Sequence, residues 1–348
     1  MIDIHAHLQA ALAELKHAAL MSTEIQIILL VGPSGVGKTT LLKSVMADLV
    51  GERSSWPEGE VRAVLVVANK DDHNHFSLGV YYTDLLGELG NPFFQPSYRD
   101  ATGRRLPIRV DTSIKHVKPA TREALLATRC RYVFLDEGNR IASSRNERVR
   151  HNNLDLLRAS VEKTPETRLI VAGTYDMLVA VNRTAQIDRR THVVHLPRYG
   201  NSPKDAAEFA RIVDRMTKRF PLPPGESLVQ YSEMIYRVSL GSYGEAEKYL
   251  LEADLRRILS GDRYLSYKHL MAALPTQTQL ETLAREVAFG EERLMTKALD
   301  KETRDRLAAE YAGRVPKKRR KQKAGMRNRG RDPVGTQAHE IVATETSD

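Results

Sequence analysis

A chain of 348 residues has room for two domains, or for one large α/β domain with an appendage. Its 41% hydrophobic and 28% charged residues are those of a water-soluble globular protein, and a single cysteine, Cys130, excludes internal disulfides and any cysteine metal cluster. The net charge of +9 belongs to a tail: ten Lys or Arg and no acidic residue fall between Arg314 and Arg331, and without them 43 basic residues face 44 acidic ones.

The N-terminus, Asp3-Ile-His-Ala-His, lacks the basic-then-apolar pattern of a signal peptide, and no apolar run approaches the length of a membrane span. The expectation is a cytoplasmic protein without a membrane partner. Residues 4–20 repeat Ile4, Leu8, Ala11, Leu12, Leu15 and Ala19 at helical spacing, which predicts an amphipathic helix. Ile25 to Val31 is an unbroken apolar run with β-branched residues and predicts a buried strand. Leu41 to Val50 is again helical in period.

Between strand and helix lies Gly32-Pro33-Ser34-Gly35-Val36-Gly37-Lys38-Thr39-Thr40, which fits G-x-x-x-x-G-K-[ST] at every fixed position. Glycines let backbone N–H groups converge on phosphate oxygens, and the helix start adds its dipole and orphan donors. The setting turns the pattern into a phosphate cradle, with Lys38 reaching the β- and γ-phosphates and the Thr39 hydroxyl holding Mg²⁺. The ligand expected is ATP with Mg²⁺.

Gly51 to Gly59 is a turn-rich break, Val61 to Val67 a second buried strand, and Leu78 to Leu89 a helix closed by Gly90-Asn-Pro92. Residues 93–119 predict a long loop carrying Arg99, Arg104, Arg105, Arg109, Lys115 and Lys118; with Lys70 these are the candidate contacts to double-stranded DNA. A solvated basic loop is the alternative. Thr121 to Thr128 predicts a helix. The third strand, Arg131-Tyr-Val-Phe-Leu-Asp136-Glu137, ends in two carboxylates, the Walker B pattern. Asp136 would support Mg²⁺ and Glu137 would polarise the attacking water.

A helix over 153–163 leads to a fourth strand, Arg168 to Ala172, and to Gly173-Thr174-Tyr175-Asp176. Thr174 at a strand end reads either as a contact to the γ-phosphate or lytic water, or as part of a simple helix start with Thr174 or Asp176 as the cap. Thr191 to Leu196 is the fifth strand, preceded by Arg189-Arg190. Arginine at that place either reaches the γ-phosphate of a neighbouring subunit or lies in a surface turn.

From Ser202 the pattern is helical only, over 203–220, 228–239, 243–260 and 266–274, followed by 277–292 and a charged 298–311. From Gly313 on, apolar periodicity is lost, which predicts a disordered basic tail. The expected architecture is α/β, a P-loop core with a five-stranded parallel sheet, a small helical lid and that tail. Its expected bounds are 1–22 for the N-terminal helix, 23–200 for the core, 201–275 for the lid, 276–312 for C-terminal helices and 313–348 for the tail.

These residues resemble the AAA+ transposition regulators of the TnsC/TniB type. The shared places are the phosphate loop, Phe134-Leu-Asp-Glu-Gly-Asn-Arg140, Leu156-Leu-Arg-Ala, Leu169-Ile-Val-Ala-Gly-Thr-Tyr-Asp-Met177 and Gln186-Ile-Asp-Arg-Arg-Thr with His195-Leu-Pro-Arg-Tyr199. The resemblance covers about residues 25–260. It implies ATP-dependent assembly as rings or helical filaments on double-stranded DNA, and a bridge between a target-selector protein of the TniQ/TnsD type and the transposase. It also favours the basic tail as a transposase dock over a DNA arm. One departure stands out: where AAA+ lids often carry a sensor arginine after a glycine, this chain reads Gly241-Ser-Tyr-Gly-Glu-Ala-Glu-Lys248. A DNA replication initiator or helicase loader is the competing reading, because it shares the core and the trans arginine.

Overall fold

The computed structural model describes residues 6–21, 26–69, 76–91, 97–99, 105–107, 113–142, 157–178 and 191–295. Five parallel strands form one sheet in the order β2 (Ala63–Val67), β5 (Tyr132–Asp136), β6 (Arg168–Gly173), β1 (Ile27–Val31), β7 (Thr191–His195). Every residue of β1 and β5 is buried, whereas the edge strands β2 and β7 are partly exposed. That gradient explains why the central strands read as unbroken apolar runs: helices cover both faces of a parallel sheet, so neither face is free to carry polar residues.

Alternate residues of β1 enter opposite layers. Ile27, Leu29 and Val31 join a core with α3 (Leu78–Glu88) and α4 (Ile114–Ala127). Ile28 and Leu30 join one with α1 (Ala6–Met21) and α2 (Lys38–Val50), through Leu8, Leu15, Leu41 and Val45. Each fully buried aliphatic side chain contributes about 1.5–3 kcal/mol.

Two elements differ from the expectation drawn from sequence. The stretch expected as a long loop holds an antiparallel pair, β3 (Ser97–Arg99) and β4 (Arg105–Pro107). Moreover, α4 starts at Ile114, seven residues before the expected Thr121, and contains Pro119. Val117, Thr121 and Leu125 form its buried stripe at four-residue spacing. Burying Val117 against the α3 layer offsets the one backbone hydrogen bond that Pro119 cannot make.

After β7 the chain is helical: α5 (Asn139–Ala142) precedes this region, and α6 (Pro203–Thr217), α7 (Ser232–Ser239), α8 (Tyr243–Leu259) and α9 (Tyr267–Ala272) compose it. The Ser202 hydroxyl accepts from Asp205 N, with Pro203 in the first turn, a strong helix start. Phe209, Ile212, Met216, Leu228, Leu250 and Leu270 form a separate core there. A last helix, α10 (Gln277–Met295), follows. Among the described residues no helix is long and apolar enough to cross a membrane.

Candidate nucleotide site

In the register of the sheet, Val31 stands beside both Gly173 and His195, and Leu135 beside Val171. The carboxyl ends of β1, β5, β6 and β7 therefore meet along one edge, where open α/β sheets bind ligands. The phosphate loop leaves β1 there. Gly32 passes so close to β7 that a Cβ on it would lie 2.3 Å from the Leu196 carbonyl oxygen, and Gly37 has φ 106° immediately before α2. Both positions require glycine. Val36 is buried in the layer beneath, and Thr40 starts the helix with Lys38 and Thr39.

Lys38 Nζ donates to the carbonyls of Gly32 (2.9 Å) and Pro33 (2.8 Å). Burial pushes its pKa down from 10.5 to about 8, opposed by the nearby charges of Glu286, Asp136 and Glu137. The folded lysine thus binds fewer protons than the unfolded one between pH 8 and its ordinary value. Its buried charge costs stability below pH 8, and that cost fades as pH rises. Phosphate favours the charged form, so nucleotide affinity is full below pH 8 and falls above it. From pH 7 to pH 9 the dissociation constant of a fluorescent ATP analogue is expected to rise about tenfold. A flat profile over that range would contradict a buried cation facing phosphate.

The Thr39 hydroxyl donates to Asp136 Oδ2 at 2.6 Å, and Asp136 Oδ1 accepts from Glu137 N at 2.8 Å. Two hard oxygen donors at one point fit Mg²⁺, which takes few protein ligands and completes its shell with phosphate and water. Among the described residues no cluster of three His, Cys, Asp or Glu offers an all-protein metal cage. Glu137 adopts φ 57°, a left-handed conformation costing a non-glycine residue about 1–2 kcal/mol. The neighbouring Gly138 explains it: its N–H is tied to the Ala172 carbonyl at 2.7 Å, and it packs where a Cβ would meet Val171 and Met177 at 2.6 Å. The Glu137 carboxylate accepts from Asn139 Nδ2 at 3.5 Å and lies 3.8 Å from Arg140 Nε.

Thr174 stands directly after β6. Its hydroxyl donates to Asp176 Oδ2 at 3.4 Å, and it is its carbonyl that Met177 N reaches. Beside it, buried Tyr175 shares a 2.9 Å hydrogen bond with His195 Nε2; burial raises the tyrosine pKa and lowers that of the histidine.

Two segments close over the loop. At the start of α8, Gly244 N donates to Gly35 O (2.6 Å) and Ser242 Oγ to Ser34 O (3.0 Å). A Cβ on Gly244 would lie 2.5 Å from the Gly35 carbonyl, so the fit depends on glycine there. Lys248 pairs with Glu245 at 3.6 Å. From α10, Glu286 Oε1 accepts from both Ser34 N (2.8 Å) and Ser34 Oγ (3.1 Å).

Of the other candidates, Arg99 and Arg105 are register partners on β3 and β4, and Lys115 and Lys118 lie on α4. Lys70, Arg104, Arg109, Arg189, Arg190 and the basic tail lie outside the described residues.

The family model of the bacterial TniB protein matches residues 2–201. The chain belongs to the TniB family. Its structure is similar to that of the ORC2 protein of Aeropyrum pernix in its ADPNP–ADP complexes, with a TM-score of 0.52 and 20% identity over 78% of this chain and 68% of that one. The ADP form of the same protein gives 0.50 and 18% over 78% and 67%. No curated protein matches this chain. This TniB-family chain thus has the AAA+ ATPase fold expected from its sequence, and it is an ATPase.

Sequence reading missed Glu286, His195 and the tie between α8 and the phosphate loop. Nothing in local periodicity marks them, because each works through a partner distant in the chain. Arg198 was visible within Pro-Arg-Tyr, but its work was not: it forks onto Glu291 of α10 at 2.8 and 3.1 Å and donates to Leu240 O at 3.0 Å.

Proposed function

We propose that this chain is an ATP-dependent regulator of DNA transposition. It assembles with its own copies as a ring or helical filament on double-stranded DNA, links a TniQ/TnsD-type target selector to the transposase, and comes apart when ATP is hydrolysed. One observation carries the reading: the family match runs from α1 to β7, so the stretch that assigns the family is also the stretch that builds the nucleotide site.

Within that site the amides of residues 32–40 and Lys38 hold the β- and γ-phosphates, and Thr39 with Asp136 holds Mg²⁺, which neutralises phosphate charge. Glu137 takes a proton from the attacking water, Thr174 orients that water or the γ-phosphate, and Arg189 or Arg190 acts on the site of the neighbouring protomer. DNA is held through its phosphates by Lys70, Arg99, Arg104, Arg105, Arg109, Lys115 and Lys118. Arg99 and Arg105 stand at paired register positions of β3 and β4, so the strand pair brings two basic residues of this set to one place in the chain. The tail around Arg314–Arg331 docks on an acidic face of the transposase.

Electron microscopy of the full chain with duplex DNA and a non-hydrolysable ATP analogue tests the assembly. Continuous rings or filaments that coat DNA of unrelated sequences are expected, and added salt should dissolve them. Nucleotide binding without any assembly on DNA would sink the reading. Discrete particles confined to particular sequences would favour the initiator or helicase-loader class instead.

A further inference from the structure

The phosphate loop already holds an anion, and the chain supplies it. In an anion cradle, Ser34 N and Ser34 Oγ both donate to one oxygen of the Glu286 carboxylate, while Lys38 is folded back onto the loop carbonyls. Glu286 lies 252 residues away in sequence, on α10, beyond the span matched by the family model. Two further contacts aim the helix at this point. Glu291 takes the Arg198 fork, and Gly290 lies flat on the Tyr175 ring, where a Cβ would sit 1.9 Å from ring carbons.

Little else holds α10 down. Among its described residues only Val287 and Gly290 are buried, although Phe289 and Leu294 touch the main core. A cavity of about 650 Å³ separates it from α7, lined by Arg198, Tyr236, Leu240, Ala284, Val287 and Glu291. A helix that buries few of its residues and has an open gap beside it can open locally at modest cost.

We propose that α10 is a built-in plug of the nucleotide site: Glu286 stands where a phosphate oxygen of ATP must bind, so the plugged chain excludes ATP and ATP enters as α10 leaves. A phosphate and a carboxylate cannot share the Ser34 donors, and two anions at one partly buried point repel each other. The plug therefore lowers apparent affinity by the fraction of chains in which it is seated. Nucleotide loading then uncovers Tyr175, Arg198 and the inner face of α10 together, and couples occupancy of the site to the C-terminal part of the chain. This inference rests on the ATPase assignment and not on the transposition reading.

The test uses the full chain with ATPγS as probe, and compares the native form with Glu286→Ala, Glu286→Gln and Glu291→Ala. Dissociation constants are measured by titration, and hydrogen exchange of α10 is followed with and without nucleotide. Glu286→Ala is expected to tighten binding about tenfold, the value of one charged hydrogen bond. Glu286→Gln, which keeps an acceptor but no charge, should fall between, and Glu291→Ala should tighten binding by releasing the other end. In the native chain, α10 amides should exchange more slowly without nucleotide than with it. Dissociation constants unchanged in all three variants, or α10 exchange indifferent to nucleotide, overturns the plug. If every form, native included, fails to bind ATPγS, the nucleotide site itself is misassigned and the plug falls with it.

Discussion

Glu137→Gln will bind ATP and keep it. Turnover should fall by about two to three orders of magnitude, the contribution of a positioned general base, while nucleotide affinity stays within a few-fold of native. The substitution preserves shape, and the amide oxygen can still accept from Asn139 Nδ2. The left-handed backbone at position 137 is imposed by the seat of Gly138 on Ala172, so it survives the change. What is lost is the capacity to take a proton from water. Lys38→Ala should behave in the opposite way, by abolishing nucleotide binding. Phosphate release, measured beside retention of labelled ATP after rapid desalting, separates the two. Native turnover in Glu137→Gln would move the catalytic base elsewhere.

The sheet and the phosphate loop were legible because their physics is local. A parallel strand covered on both faces must be apolar throughout, so β1, β5 and β6 announce themselves within six residues each. The loop needs glycine at Gly32 and Gly37 for reasons of backbone space and sign of φ, and those reasons leave a spelling. Pro119 misled because a proline read alone stops a helix, whereas buried Val117 two residues earlier and Thr121 and Leu125 after it carry the helix through. The conformation of Glu137 left only an indirect sign, the glycine after it. Glu286 left none: an exposed-looking glutamate on an amphipathic helix acquires its meaning only from a serine at the far end of the chain. What remained hidden were contacts such as this one, whose partners lie in another element and carry no motif of their own.

The local charge balance makes the second large prediction. A triphosphate reaching transition-state charge needs more than one cation, and among the described residues Lys38 is the one placed on the phosphate loop. Arg140 faces Glu137 and donates to the Ala68 carbonyl, Arg198 is engaged by Glu291, and Lys248 pairs with Glu245. The lid meets the phosphate loop at Gly244, whose contact with Gly35 leaves no space for a side chain. We propose that positive charge beyond Lys38 and Mg²⁺ comes from outside this set, and Arg189-Arg190, just before β7 in sequence, are the candidates to act on a neighbouring protomer. Replacing the acting arginine by alanine should lower turnover about a thousandfold while leaving ATP binding by the isolated protomer intact. Arg189→Ala and Arg190→Ala are made separately, and only one should show the full loss. A trans role is then read by mixing. Chains with Lys38→Ala keep their arginines but hold no ATP, and chains lacking the acting arginine hold ATP but cannot complete a neighbour's site. Together on DNA, mixed neighbours form some complete sites, so activity should reappear and pass through a maximum as the ratio is varied. Mixtures that stay dead at every ratio would place the arginine within its own subunit or remove it from the chemistry altogether.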